Sequence, residues 1–332
     1  MADMRSMVAG LGGQVRAATG VRVPDLSPAG ELLVVGMGGS GIGGDYLAHL
    51  ASLHGARVTG HKSYGLPGWV ASARPTVLAV SYSGNTEETL SAVDAAVDLG
   101  LPIIVVTTGG ALGERAGAHG WPVVAVPAGL QPRAALGHLL GAALMISTAV
   151  GLVPSPVPDL EEAADVVDSL TSSGGAGWAL AGDLAGSLAA RAVIVYGSTG
   201  LTASVAQRWK TQINENGKRP AWFSVFPELD HNEIVGWSAD RGLNGRLGVV
   251  TLADRDDGAD VAQRRAITRE VTAKDVDWIG EVHSQGNSAL ARMMSLTAIG
   301  DMVSVALAEV AGIDPVPVAP IEDLKNRLRE ER

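Results

Sequence analysis

The sequence predicts an α/β protein made of two doubly wound parallel sheets, one domain used twice. Three observations carry this. Short β-branched runs alternate with longer helical stretches, the pattern of parallel strands joined by crossover helices. A proline-rich break, Val153-Pro154-Ser155-Pro156-Val157-Pro158, splits that alternation into domains over 1–153 and 154–332. Each half also opens alike, on a hydrophobic strand, a small-residue turn and a helix. Val34-Val35-Gly36-Met37-Gly38-Gly39-Ser40-Gly41 parallels Ile194-Val195-Tyr196-Gly197-Ser198-Thr199-Gly200, and a second strand follows about 25 residues later in both, at Arg57 and Trp222.

In chain order, the first half predicts strands over 32–36, 57–61, 76–81, 102–107 and 122–127, punctuated by Gly, Pro or Asn. A helix fits between Ser83 and Gly100. Asn85 can cap it, Glu88 follows three residues on, Leu90, Val93 and Val97 form one face, and Gly100 stops it. Residues 139–153 are the longest weakly polar run, shorter than the ~20 residues of a membrane span, and predict a buried helix. Beyond the break, Asp159 caps a helix to about Leu170, and 171–177 is a loop. Strands follow over 192–197, 222–226, 248–253 and 276–282, with a helix over 201–215.

Composition narrows the function. Of 332 residues, 46% are apolar and 18% charged, ample for a buried core. Cysteine is absent, which excludes a disulfide framework, Cys-ligated zinc, iron–sulfur ligation and a Cys nucleophile. A net charge of −10 without like-charge blocks argues against a nucleic-acid surface. The N-terminal stretch has no apolar h-region, so no membrane partner and a cytoplasmic location are expected.

The turn Gly36-Met37-Gly38-Gly39-Ser40-Gly41 follows a strand and opens a helix. Bare glycines let a phosphate approach backbone N–H groups at the positive helix end. The spacing also fits a dinucleotide fingerprint, but that reading wants an acidic residue at the end of the second strand. His61-Lys62 stands there instead, against NAD, although Lys62 leaves NADP open. Ser40 lacks the frame of a hydrolase elbow, and no Gly-Lys-Ser/Thr follows for a nucleoside triphosphate. A tight turn with a Ser cap is the ordinary alternative. The second turn, Ser81-Tyr82-Ser83-Gly84-Asn85-Thr86-Glu87-Glu88-Thr89, brings three hydroxyls to another helix N-terminus. Capping explains one hydroxyl; a neutral phosphate cradle explains three.

Together these turns resemble the sugar isomerase (SIS) domain, a phosphosugar-binding module. Six segments in order, VVGMGGSGIGGDY, SYSGNTEET, QPRAALGHLL, QINENGK, ELDHNEIVGW and DPVPVAPIEDLK, resemble the bifunctional phosphoglucose/phosphomannose isomerases over almost the whole chain. The resemblance implies two SIS domains and interconversion of glucose-6-phosphate and mannose-6-phosphate with fructose-6-phosphate through a cis-enediolate. No metal or other cofactor is expected. Gly39, Ser40, Ser81, Ser83 and Thr86 would hold the phosphate.

The remaining roles weigh residue chemistry against ordinary explanations. Glu215 ends a predicted helix with Gly217 as its stop. There the negative end of the helix dipole would raise its pKa, although a solvated helix-end glutamate is the plain alternative. By resemblance Glu215 is the proton-transferring base. His231, in ELDHNE, reads by itself as a loop histidine. By resemblance it opens the sugar ring and projects into a partner's site, implying a homodimer. Trp209, Trp222, Phe223, Phe226 and Trp237 crowd this region and suit an interface, a pocket wall or a core. Arg133, before the apolar helix, is a surface arginine or, by resemblance, the enediolate stabiliser. Lys325 borders a face of Ile321, Leu324 and Leu328 expected to be buried. Most such lysines snorkel; the resemblance implies help in ring opening. One departure stands out. The family usually carries Asp-Pro-Thr-Pro, here Asp314-Pro315-Val316-Pro317, and a nearby threonine is tied in the family to mannose-6-phosphate. A phosphosugar sensor, an aminosugar synthase and an NADP oxidoreductase are the rival classes. A sensor usually carries a DNA-binding segment, and the synthase needs an N-terminal Cys; neither is present.

Overall fold

The computed structural model describes residues 3–238 and 241–330. The first sheet contains β1 (Glu31–Val35), β2 (Arg57–His61), β3 (Thr76–Ser81), β4 (Ile103–Thr107) and β5 (Val123–Ala125), in the order β2-β1-β3-β4-β5. The second contains β6 (Ala192–Ser198), β7 (Ala221–Phe226), β8 (Leu247–Ala253) and β9 (Trp278–His283), in the order β7-β6-β8-β9. Every pairing is parallel. Near-continuous apolar strands such as Thr76–Ser81 are what a sheet covered on both faces requires. β6 lies between β7 and β8 as β1 lies between β2 and β3, so the two halves share one topology. In each, the chain reverses winding beside its central strand, and such switch points lie at the carboxyl ends of the strands.

The helix Ala289–Ala311 lies at the centre of the second half and meets the first where Thr297 Oγ1 lies 2.8 Å from the Tyr46 hydroxyl. Its 23 residues pack against helices Val157–Thr171, Ala176–Leu188 and Leu201–Glu215, and Leu290 to Ala308 are all buried. The sequence reading passed over it because Arg292 and Asp301 interrupt its apolar character. Residues 139–153 do contribute a buried helix, Leu136–Ala149. Gly300 is needed where the long helix meets Trp209. A Cβ there would lie 2.3 Å from the indole Nε1, which donates to the Leu296 carbonyl at 2.8 Å.

Several local expectations change. The helix after β3 is Glu87–Asp98, with Thr86 as its N-cap. Asn85 serves the next helix instead, its Oδ1 accepting from the Ala111 N–H at 3.0 Å. The buried face is Thr89, Ala92, Val93 and Ala96, while Val97 points outward. Pro156 caps the helix Val157–Thr171, leaving Asp159 in its first turn. β9 starts at Trp278 rather than 276, because Val276 packs in a small cluster with Phe226 and Trp237. The aromatic group divides: Trp209, Phe226 and Trp237 are core, whereas Trp222 and Phe223 are exposed.

The C-terminal helix Ala319–Glu330 is the largest correction. None of its residues is buried, and Ile321, Leu324 and Leu328 are 40%, 57% and 38% exposed. Its apolar stripe exists as expected, but among the described residues nothing buries it.

Candidate active site

β1 and β3 are neighbours, so the turns that follow them lie side by side at the first switch point. Gly36 shows how tightly: a Cβ there would lie 2.7 Å from the Val80 carbonyl oxygen. The second turn is held by its own hydroxyls. Ser81 Oγ lies 3.0 Å from Thr86 Oγ1 and accepts from the Gly84 N–H at 3.1 Å. Ser83 Oγ accepts from the Asn85 N–H at 3.2 Å. Thr86 makes no side-chain cap bond to the helix it starts. Ser40 and Ser81 are buried and Ser83 is exposed. The structure therefore gathers Gly39, Ser40, Ser81, Ser83 and Thr86 at one sheet edge.

Arg133 sits beside this edge. A Cβ on Gly39 would lie 3.1 Å from the Pro132 carbonyl oxygen and 3.3 Å from the Arg133 Cα, so glycine there lets the two segments touch. Contrary to a surface reading, Arg133 is 5% exposed. Its Nε donates to Asn216 Oδ1 at 2.7 Å, and its Nη2 donates to the carbonyls of Pro315 at 2.9 Å and Val316 at 2.8 Å. Nη1 keeps a longer contact, 3.4 Å to Gln131 Oε1. These acceptors are all neutral. Among the described residues no carboxylate forms an ion pair with Arg133. Burial pulls the guanidinium below its usual pKa, and the Glu215 carboxylate opposes that shift.

Glu215 is the last residue of the helix Leu201–Glu215, as expected. Its carboxylate acts electrostatically on Arg133, Arg208 and Lys218. It therefore sits in a positive field and not merely at a negative helix end. Gly217 closes the helix through close approach, since a Cβ would lie 2.8 Å from the Ile213 carbonyl oxygen. The left-handed residue is the next one, Lys218, at φ 49°. Its ammonium binds the carbonyls of Glu215, Pro315 and Pro317. Burial and the Arg133 charge lower the Lys218 pKa, with Glu215 and Asp314 opposing. Arg133 and Lys218 thus fasten the strap 315–317 across the site. Prolines at 315 and 317 have no N–H to donate and the Val316 N–H is taken by Asp314 Oδ1, so the segment meets these cations through its carbonyls. Val316 itself is partly buried against the core.

Four participants went unnoticed in sequence. Arg208 and Asp301 form a buried pair, 2.6 Å apart, and Gln212 Nε2 donates to Asp301 Oδ1 at 3.0 Å. Arg208 Nη2 also donates to the Arg133 carbonyl at 3.0 Å. Asn216 is the fourth, and its Nδ2 donates to Ser304 Oγ at 3.0 Å. The signal was available: Arg208, Gln212 and Asn216 recur every four residues, a polar stripe on one helix face.

Two expected residues stand apart. His231 is exposed in the short 3₁₀ turn Glu228–His231, and among the described residues no hydrogen bond or ion pair joins it to Glu215 or Arg133. Lys325 is exposed on the C-terminal helix. The second switch point differs chemically from the first. There Asp254 accepts from Arg292 Nε at 2.9 Å and from the Ser284 hydroxyl, so a carboxylate stands in the half that echoes the hydroxyl turn.

The fold, two parallel sheets with paired helix-opening turns, is that of tandem SIS proteins. A structure of the C-terminal domain of glucosamine-fructose-6-phosphate aminotransferase from Francisella tularensis superposes with a TM-score of 0.73 at 12% identity, over 95% of this chain and 98% of that one. Residues 179–328 match the family model described as the bacterial phospho-glucose isomerase C-terminal SIS domain. The bifunctional phosphoglucose/phosphomannose isomerase of Caldicellulosiruptor bescii is 42% identical over 306 residues, 90% of each chain. A D-glucosamine-6-phosphate 4-epimerase of Sulfolobus acidocaldarius is 33% identical over 238 residues, 71% of this chain and 73% of its own. The chain belongs to the bifunctional phosphoglucose/phosphomannose isomerase family.

Proposed function

We propose that this chain is an aldose–ketose isomerase that interconverts glucose-6-phosphate and mannose-6-phosphate with fructose-6-phosphate without a metal. Its domains are 1–153 and 154–332, and it works in the cytoplasm. The observation that carries the reading is that Arg133, beside the two turns at the first switch point, binds Asn216, the residue next to Glu215, and lies within electrostatic reach of the Glu215 carboxylate. Gly39, Ser40, Ser81, Ser83 and Thr86 hold the phosphate by backbone and hydroxyl groups, which a chain of charge −10 can offer. Glu215 takes the C2 proton of the open aldose. The electron pair moves into the C1–C2 bond while the C1 carbonyl becomes an enediolate oxygen. Arg133, itself buried, faces that charge, and a desolvated fixed cation acts most strongly. The O2 hydroxyl proton passes to O1, Glu215 returns its proton to C1, and C2 becomes the ketone.

His231 and Lys325 open the ring. Among the described residues no bond or ion pair joins either to Glu215, and this supports a homodimer in which His231 completes the partner's site. The exposed apolar residues around it, Trp222 and Val235, and the uncovered stripe Ile321, Leu324 and Leu328 fit such an interface. Side-by-side assays on glucose-6-phosphate and mannose-6-phosphate, with and without chelator, test the reading. Fructose-6-phosphate from both, unaffected by chelator, is expected. No product from either aldose overturns it and favours a sensor, and product from glucose-6-phosphate alone fits the loss of threonine at Val316.

A further inference from the structure

Two buried arginines touch, Arg208 through the Arg133 carbonyl, and their guanidiniums are treated in opposite ways. Arg208 is paired with Asp301 and takes a further contact at the Arg133 carbonyl. Arg133, equally hidden, meets only neutral oxygens. A buried charge without a counter-ion is unfavourable unless something maintains it. The arrangement leaves the Arg133 charge unspent for an anion that arrives later. Much depends on residue 216. It is 0% exposed, its Oδ1 lies 2.7 Å from Arg133 Nε, and its Nδ2 is committed to Ser304 Oγ. Ser304 Oγ in turn donates to the Asp301 carbonyl at 2.6 Å. This chain of bonds fixes the amide with its oxygen toward Arg133.

We propose that Asn216 is a positioning residue that aims Arg133 at the reacting oxygens while leaving its charge unneutralised, acting through the neutrality of its amide as much as through its shape. The proposal rests on Arg133 being the enediolate stabiliser. An aspartate at 216 would have nearly the same shape and would gain an ion pair with Arg133, while losing the N–H that donates to Ser304 Oγ. A structural role predicts a lower midpoint from that lost bond; the charge argument predicts a lower kcat in a protein that still folds and binds. Asn216 adjoins Glu215 in sequence, so one helix end supplies both the base and the group that orients its electrostatic partner.

The test compares Asn216→Asp, Asn216→Ser and Arg133→Gln in the full-length protein. It reads kcat and KM with fructose-6-phosphate beside the thermal midpoint. Asn216→Asp should fold, lose kcat about a hundredfold, and keep KM within about threefold. Asn216→Ser keeps a neutral acceptor and should lose about tenfold at most. A folded Asn216→Asp with wild-type kcat overturns the proposal, as does Asn216→Ser falling as far as Arg133→Gln. If the aspartate variant does not fold, the serine comparison decides alone. Full activity of Arg133→Gln overturns the reading of Arg133 and this proposal with it. An inactive Arg133→Gln beside a fully active Asn216→Asp overturns only the proposal.

Discussion

Gly39 and Arg133 touch across the site: a Cβ on the glycine would come within 3.3 Å of the arginine Cα. The glycine-rich turn and the buried cation therefore share one constraint. The first prediction concerns this contact. Gly39→Ala must push the backbone of Pro132 or Arg133 aside by a few tenths of an ångström. It should lower kcat/KM about tenfold or more while costing only about 1 kcal/mol of stability. Steady-state kinetics beside urea unfolding separates the two effects.

The strap 315–317 gives a second prediction. Lys218→Met removes the ammonium that gathers three carbonyls, while its exposed position limits the effect on global unfolding. Faster limited proteolysis after residue 312 and a severalfold lower kcat are expected. An unchanged cleavage rate would show that Arg133 alone holds the strap.

A third prediction concerns the Arg208–Asp301 pair. Asp301→Ala leaves a fully buried guanidinium without its carboxylate and removes an acceptor from Gln212. The expected loss is about 3–5 kcal/mol in chemical denaturation.

The fourth prediction is a pH dependence of stability. Burial lowers the pKa of His49 below its usual 6.5, with Asp254 opposing and Arg292 assisting, and burial alone lowers His138. The unfolded chain then binds protons more readily than the folded one. These residues leave stability intact above about pH 6.5 and reduce it as pH falls through the window below. Urea midpoints across that window should fall for wild type. The slope should be shallower in a His49→Gln, His138→Gln double variant.

Much of the fold was legible. β2, β3 and the helix Leu201–Glu215 fall where periodicity and punctuation put them, because alternating strands and helices leave strong local signals. The echo between Val34–Gly41 and Ile194–Gly200 likewise anticipated the shared topology. Long-range chemistry was hidden. Asn85 looks like a cap for the helix after it, yet it bonds Ala111, on an element that sequence proximity does not reveal. Arg133 reads as a surface arginine because its three closest acceptors, on Asn216, Pro315 and Val316, lie 83 and more residues away. The exposed stripe of Ile321, Leu324 and Leu328 shows the opposite limit: periodicity announces an apolar face without saying what covers it.

The central claim is that Glu215 carries a proton between C1 and C2. Incubating fructose-6-phosphate with the protein in D2O and following C2 of the aldose products by proton NMR tests it most directly. Wild type should form aldoses that carry at C2 either the hydrogen from C1 or, where the proton on Glu215 exchanges with D2O, deuterium, and Glu215→Gln, folded and still binding fructose-6-phosphate, should form them and incorporate deuterium at least about a hundredfold more slowly. Aldose formation by Glu215→Gln at the wild-type rate would contradict the account.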